Sequence, residues 1–510
     1  MALTKINMLL KEIGIFYFAS LIIIILIAIS GAHGSFSYAA HTAYGESNSI
    51  INNINNNKNN AYDISGAKSV SILTNPTANT AADKSSRDNI VPYVGVDMQG
   101  YYTSMPQTRN FTIPYFPSNY YEGSFRLISQ SGMNHVRYVF YWESYIRSPD
   151  QFIDELNTVA KTADKYNIHV VYANHQFHTS SWLDPKNGVG FPSLLFKNDS
   201  NNHSLSLYPY GSGGSPKSKV AQIWWTNWLD RNIKDTNGDD GWALQADLLK
   251  KVVNTVERHP STLGYEILGE SQVHKIDEWD KLGQYNTFMT DILRKITPKT
   301  IIFSMSTPVD LDNQTIGVTA ENIARTIPTT STVDAGNSSD KNTTATNTNA
   351  YGNRNFAFKF DVYDLPTPTR LEGKRLDVFA KAGQIAKVPL YAGEWSVVAR
   401  KKNSYAGSSG GYSTSLDPAN SDMNLTQANY IVKKLEDMHV WGMAYWRLKF
   451  EPDKTPTYNL INIIHPRAIA TTTANSTKQT SGFTSDSVAI IQPTKYFEIL
   501  KNTHPEWYKK

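Results

Sequence analysis

Cysteine does not occur anywhere in the 510 residues. That excludes disulfides, a thiolate nucleophile and any cysteine-ligated metal. A chain this long can bury a sizeable core without cross-links, so the absence is compatible with export. A strong charge of one sign is also lacking. The net charge is +4 and there is no long Lys/Arg run, which argues against nucleic acid as the main partner. No Gly-x-Gly-x-x-Gly turn follows the first strand-like run, so the commonest dinucleotide signature is missing. Gly211-Ser-Gly-Gly-Ser-Pro-Lys-Ser218 has the wrong spacing for a phosphate loop, and Pro216 disrupts the turn it would need. Gly407-Ser-Ser409-Gly-Gly411 matches the string of a hydrolase nucleophile elbow, but no apolar strand precedes it.

What is present begins with a targeting pattern. Lys5 and Lys11 precede an uncharged apolar stretch from Ile13 to Ile29, and small residues follow. Residues 1–40 therefore read as a cleaved export signal or a retained membrane anchor. Residues 41–90 are rich in Asn, Ser, Thr and Ala and hold too few apolar side chains to offset chain entropy, so a flexible tether is expected there. Similar low-complexity stretches near 329–350 and 468–486 look like insertions into a domain spanning 91–510.

Within that domain, short apolar runs near residues 94, 136, 170, 266, 302, 360, 390 and 443 read as strands. Helical spacing separates them. In 151–166, for example, Phe152, Leu156, Val159 and Ala163 share one face. Eight strands alternating with helices predict an α/β protein of the (β/α)8, or TIM-barrel, class.

Two glutamates stand at the ends of apolar runs: Glu270 after Leu263-Gly-Tyr-Glu-Ile-Leu-Gly269, and Glu394 after Val388-Pro-Leu-Tyr-Ala-Gly393. A desolvated carboxylate needs a partner or a raised pKa, so two in matching settings point to one shared site. Such a pair is what glycoside hydrolysis requires. At the C-terminal ends of strands four and seven, both would face the mouth of the barrel. Asp235-Thr-Asn237-Gly-Asp239 has oxygen ligands at alternate positions, as calcium loops do. Counted from Asp235, the loop's glycine at Gly241 falls one place late and no closing Glu follows, so a solvated turn is expected. His175-x-x-His178 has metal spacing but no evident third ligand.

These residues carry a resemblance to glycoside hydrolase family 5 over roughly 91–465. Tyr121–Arg137 is similar to the family's helix-one and strand-two signature, and Asn174-His175 to the end of its strand three. His259–Glu270 resembles the acid/base segment, Pro389–Trp395 the nucleophile segment, and Tyr445-Trp446 the strand-eight tryptophan beneath the sugar. The resemblance implies double displacement, with Glu270 as acid/base and Glu394 as nucleophile. It further implies substrate contacts from Asn174, His175, Tyr363, Trp395 and Trp446. Arg137 is expected to keep Glu394 ionised or to neutralise Glu266. Two departures stand out: Gly269-Glu270-Ser271 replaces the family's Asn-Glu-Pro, and Asp361-Val-Tyr363 replaces its strand-six His-x-Tyr.

The expectation is a monomeric, cofactor-free glycoside hydrolase, extracellular or anchored at the cell surface, cutting β-1,4-glucan or β-mannan. Trp142, Trp182, Trp224 and Trp225 join Trp395 and Trp446 as aromatic subsite candidates. The competing expectations are a catalytically silent carbohydrate-binding barrel, prompted by Gly269, and a serine esterase using Ser409.

Overall fold

The computed structural model describes residues 92–109, 116–197, 207–304, 316–328, 355–363, 371–396, 421–449, 459–464 and 488–503. The export segment, the tether, both low-complexity insertions and Ser409 lie outside these residues. Among the described residues, no helix is long and apolar enough to cross a membrane.

Eight parallel strands form the core: β1 (Tyr93–Gln99), β2 (His135–Phe140), β3 (His169–Asn174), β4 (Thr262–Glu266), β5 (Thr300–Ser304), β6 (Phe356–Tyr363), β7 (Leu390–Ser396) and β8 (Gly442–Tyr445). Each pairs with the next, and β1 pairs with β8 from Tyr93 opposite Gly442 to Val96 opposite Tyr445. The sheet closes on itself, giving the (β/α)8 barrel expected from the eight apolar runs.

The helices lie outside it: α1 (Tyr120–Gln130), α2 (Trp142–Arg147), α3 (Pro149–Tyr166), α4 (Lys219–Leu229), α5 (Gly241–Val256), α6 (Glu278–Leu293), α7 (Ala320–Arg325), α8 (Leu371–Ala386) and α9 (Ser421–Asp437). In α3, Pro149 sits in the first turn, where its missing N–H costs nothing. Asn167 ends the helix in the left-handed conformation, and its N–H caps the last turn. The predicted Phe152, Leu156, Val159 and Ala163 face is buried. Beyond β8, β9 (Ile461–Ile464) pairs antiparallel with β10 (Ile490–Pro493), and α10 (Lys495–Thr503) follows. Asn119 ties this segment to the start of α1 by donating to the Ala489 carbonyl at 2.8 Å.

Because side chains alternate along each strand, every second residue enters the barrel. Val171, Ile302, Ala357 and Tyr391 pack together as an apolar layer inside it. One step toward the C-terminal ends, the same faces carry charge.

Candidate active site

The charged layer is built around Arg137 and Lys359, both fully buried. Arg137 donates from Nε and Nη2 to both oxygens of Glu266, at 2.6 and 3.1 Å. Its Nη1 reaches Asp97 at 2.7 Å and Glu394 Oε1 at 2.9 Å. Arg137 thus contacts both carboxylates that the sequence offered it, Glu394 and Glu266. It lies in mid-strand rather than at the end of β2, which continues to Phe140. Lys359 Nζ donates to Asp361 Oδ2 at 2.7 Å and to Glu394 Oε1 at 3.4 Å, and lies 3.7 Å from Glu266 Oε1. Removing one member of such a buried network leaves its partners uncompensated, at a cost of about 3–5 kcal/mol.

Two cations face five carboxyl groups here: Asp97, Glu266, Glu270, Asp361 and Glu394. Full ionisation of all five in a low dielectric is unfavourable, so the excess must be carried as protons. Burial raises Asp97 well above its usual range although Arg137 opposes it. Burial also pushes Asp361 up to about 7, Lys359 pulling down and Glu394 adding to the rise. Glu270 is driven well above the ordinary carboxylate range by burial, then by the charges of Glu394 and Asp361. For Glu266 the balance reverses: burial raises it, but Arg137 and Lys359 outweigh that and hold it low. Burial lowers His175 to about 4 against the pull of Glu394, so its ring is neutral at pH 7.

Glu394 lies within β7, which runs two residues past it, and it is 1% exposed. The register between β6 and β7 shifts beside it: Phe360 faces Ala392, but Asp361 faces Glu394. Gly393 is the extra residue of this bulge, a device that re-aims the following side chain. A Cβ at Gly393 would lie 2.4–3.0 Å from the Lys359 stem, so glycine is needed for the lysine to pass.

Glu270 is placed differently from expectation. β4 ends at Glu266, and Glu270 follows four residues later with φ +52°, a conformation uncommon for non-glycine residues. Its segment is stitched to the barrel through Gly269 N–H to the Asn174 carbonyl at 2.7 Å and Glu270 N–H to Ser304 Oγ at 3.2 Å. Gln176 Nε2 donates to the Glu270 carbonyl. The residue is partly exposed. His175, Glu270 and Glu394 each offer an atom within 4.8 Å of the other two.

The structure also gives a physical reason for Gly269. A Cβ there would sit 2.3 Å from His175 Nδ1 and 2.9 Å from Glu266 Oε1. The volume that a longer side chain would need is already filled by the imidazole of β3's next residue.

Other predicted residues are distributed unevenly. His175 Nε2 is 3.7 Å from Glu394 Oε1, and Trp446 packs beside it, partly exposed at the mouth. Asn174 is buried and braces the Ile267 carbonyl at 3.0 Å. Trp395 is buried, its ring edge-on to Tyr445, so it packs the barrel wall rather than lining a cleft. Trp142 packs on Phe191, while Trp224 and Trp225 join Trp228 of α4 in a buried aromatic stack; these three candidates are core. Trp182 remains partly exposed. Tyr363 closes β6 opposite Ser396, and its side chain lies outside the described set. Asp235 spends its carboxylate on the N–H groups of Asn237 and Asp239, the bonding of a closed turn. His178 turns to Asp184 at 2.7 Å and does not join His175.

Lys359, Asp97 and Gln176 were not anticipated. A signal existed for the first: in Phe358-Lys-Phe-Asp361 two charges fall at every second place of an apolar strand, so both must enter the barrel.

An eight-stranded parallel barrel with paired carboxylates at its mouth is the arrangement that (β/α)8 glycosidases use. The family model described as Cellulase (glycosyl hydrolase family 5) matches residues 96–441, more than half of the chain. The chain belongs to glycosyl hydrolase family 5 and is a glycoside hydrolase. Comparison of the sequence with curated proteins finds no match. Among solved structures, an endogalactoceramidase is similar at 13% identity and TM-score 0.48, covering 70% of this chain and 71% of that one. Endo-glycoceramidase II from Rhodococcus sp. aligns at 16% identity and TM-score 0.47, covering 73% and 78%. An endo-β-1,4-glucanase of Xanthomonas axonopodis pv. citri aligns at 13% identity and TM-score 0.43, covering 72% and 92%.

Proposed function

We propose that the protein is an exported retaining β-glycosidase in which Glu394 is the nucleophile and Glu270 the acid/base, acting on β-linked glucan or mannan. The observation that carries this reading is the close approach of Glu270 and Glu394 with opposite surroundings. Their oxygens come within 4.8 Å, nearer the ~5–5.5 Å of retaining pairs than the ~6.5–9.5 Å of inverting ones. Glu394 is held by Arg137 and Lys359, whereas Glu270 is driven toward its protonated form.

In the first step a Glu394 oxygen bonds to the anomeric carbon. The glycosidic bond breaks, and the Glu270 proton passes to the leaving oxygen. Ionised Glu270 then takes a proton from water, whose oxygen displaces Glu394 from the sugar and restores both groups. Export rests on the apolar stretch from Ile13 to Ile29 after Lys5 and Lys11.

The test is an assay of purified protein on β-1,4-glucan, β-mannan and a glycoside with an apolar aglycone, with NMR of the first-formed anomer. The third substrate is included because Phe177, Leu207 and Tyr210 expose 44%, 70% and 55% of their surface after β3. Retention of configuration is expected. An inverted product overturns the mechanism, and sugar binding without cleavage favours the silent carbohydrate-binding barrel prompted by Gly269.

A further inference from the structure

We propose that Lys359, held in place by Asp361, is a positioning residue for Glu394, with the strand-six pair setting the orientation and charge of the nucleophile. The inference rests on the assignment of Glu394 above and extends it to two residues outside the acid/base and nucleophile pair.

Four observations carry it. Lys359 is fully buried, where an ammonium persists only among close carboxylates. Its Nζ approaches Glu394 Oε1, the same oxygen that Arg137 Nη1 and His175 Nε2 approach from β2 and the end of β3. Three groups converging on one oxygen fix the plane of the carboxylate, as a near-attack geometry requires. The bulge at Gly393 sets Asp361 directly opposite Glu394, and the missing Cβ of Gly393 is the channel for the Lys359 stem. The lysine's place is thus built into the backbone of the strand that bears the nucleophile.

The electrostatics agree. Burial acts to lower Lys359, but Asp361, Glu394 and Glu266 outweigh it and keep the ammonium charged. The groups facing the pair are Asp97 and Arg137 from β1 and β2, Glu266 from β4 and Glu394 from β7. Glu270 and the neutral His175 complete the set at the mouth, and Tyr391 lies below. When water releases the sugar, the negative charge returning to Glu394 meets an ammonium already in place. That is the preorganisation which lowers a barrier without reorganisation during the step.

The pair makes opposed predictions. Lys359→Met removes positive charge beside Glu394 and Glu270, so both limbs of the pH profile of kcat/KM move to higher pH. Asp361, pushed up to about 7, carries its charge only on the alkaline side, so Asp361→Asn moves the alkaline limb to lower pH and leaves the acid limb in place. Loss of packing alone would not shift the profile in opposite directions. The probe is dinitrophenyl β-cellobioside, with its fluorinated analogue to trap the glycosyl-enzyme and mass spectrometry to locate the label. Lys359→Met is expected to slow trapping at neutral pH by about tenfold or more, the equivalent of one pH unit of displacement. Superimposable profiles for a folded Lys359→Met and wild type overturn the proposal. If Lys359→Met fails to fold, Asp361→Asn decides: a downward shift of the alkaline limb supports the role and no shift overturns it. Failure of wild-type Glu394 to take the label overturns the nucleophile assignment, and the role of Lys359 falls with it. Label on Glu394 with unchanged variant profiles overturns only the role of Lys359.

Discussion

Glu270 and Glu394 look alike in sequence, each following a glycine at the end of an apolar run, yet the fold treats them oppositely. β7 extends beyond its glutamate, whereas β4 stops four residues short. Glu394 is locked into the barrel wall by two cations. Glu270 sits on a loop with positive φ, and its carboxyl is raised by burial first and then by the charges of Glu394 and Asp361. Even the glycines differ in purpose: Gly393 admits a lysine stem and Gly269 admits an imidazole. Opposite surroundings for two carboxyl groups are what the proposed double displacement calls for, and here they come from different backbone, not different residue types.

The contrast can be broken most forcefully at the carboxylates. Glu394→Gln should abolish measurable turnover of every substrate, good leaving group or poor, because it removes the group proposed to bond to the anomeric carbon. Glu270→Gln should cost about 10²–10⁴-fold on a polysaccharide, but far less on dinitrophenyl β-cellobioside, whose leaving group needs no proton. Steady-state rates on both substrates check this; equal losses on both would remove the distinction between the two glutamates.

Gly269→Asn, which would bring the segment closer to the family's Asn-Glu-Pro, should lower kcat/KM by about 10²-fold rather than raise it. The new Cβ would meet His175 Nδ1 at 2.3 Å and displace the ring beside Glu394. A gain in activity would show that the imidazole moves freely. Gly393→Ala crowds the Lys359 stem and should cost about 1–3 kcal/mol in denaturant unfolding.

The smallest effect is on stability against pH. Glu270 has a folded pKa above its unfolded value, so the stability tied to its proton is present at low pH and lost as pH rises through the folded pKa. Glu270→Gln should therefore raise the Tm at neutral and higher pH and leave it unchanged below about pH 4. Glu394→Gln should lower the Tm at neutral pH, because Arg137 and Lys359 lose a buried counter-charge. Thermal melts of the two variants across pH measure both signs.

Much of the barrel could be read directly. Each of the eight strand-like runs became a strand, because two-fold and 3.6-fold periodicity record which face of an element is buried. The aromatic candidates fared worse. Trp224 and Trp225 carry no mark in sequence to separate a stacking platform from core, and helix α4, which buries them, was not anticipated. Lys359 was visible as a charge in an apolar strand, but its partners lie 93 and 35 residues away on other strands, at Glu266 and Glu394.

Local pattern was enough for the parallel barrel, for two carboxylates near its mouth and for likeness to the family, since each depends on residue types and short-range spacing. The different surroundings of the two glutamates were decided by tertiary structure. A carboxyl's protonation depends on burial and on charges within a few ångströms, and strand register, the bulge at Gly393 and the packing of His175 over Gly269 set those distances.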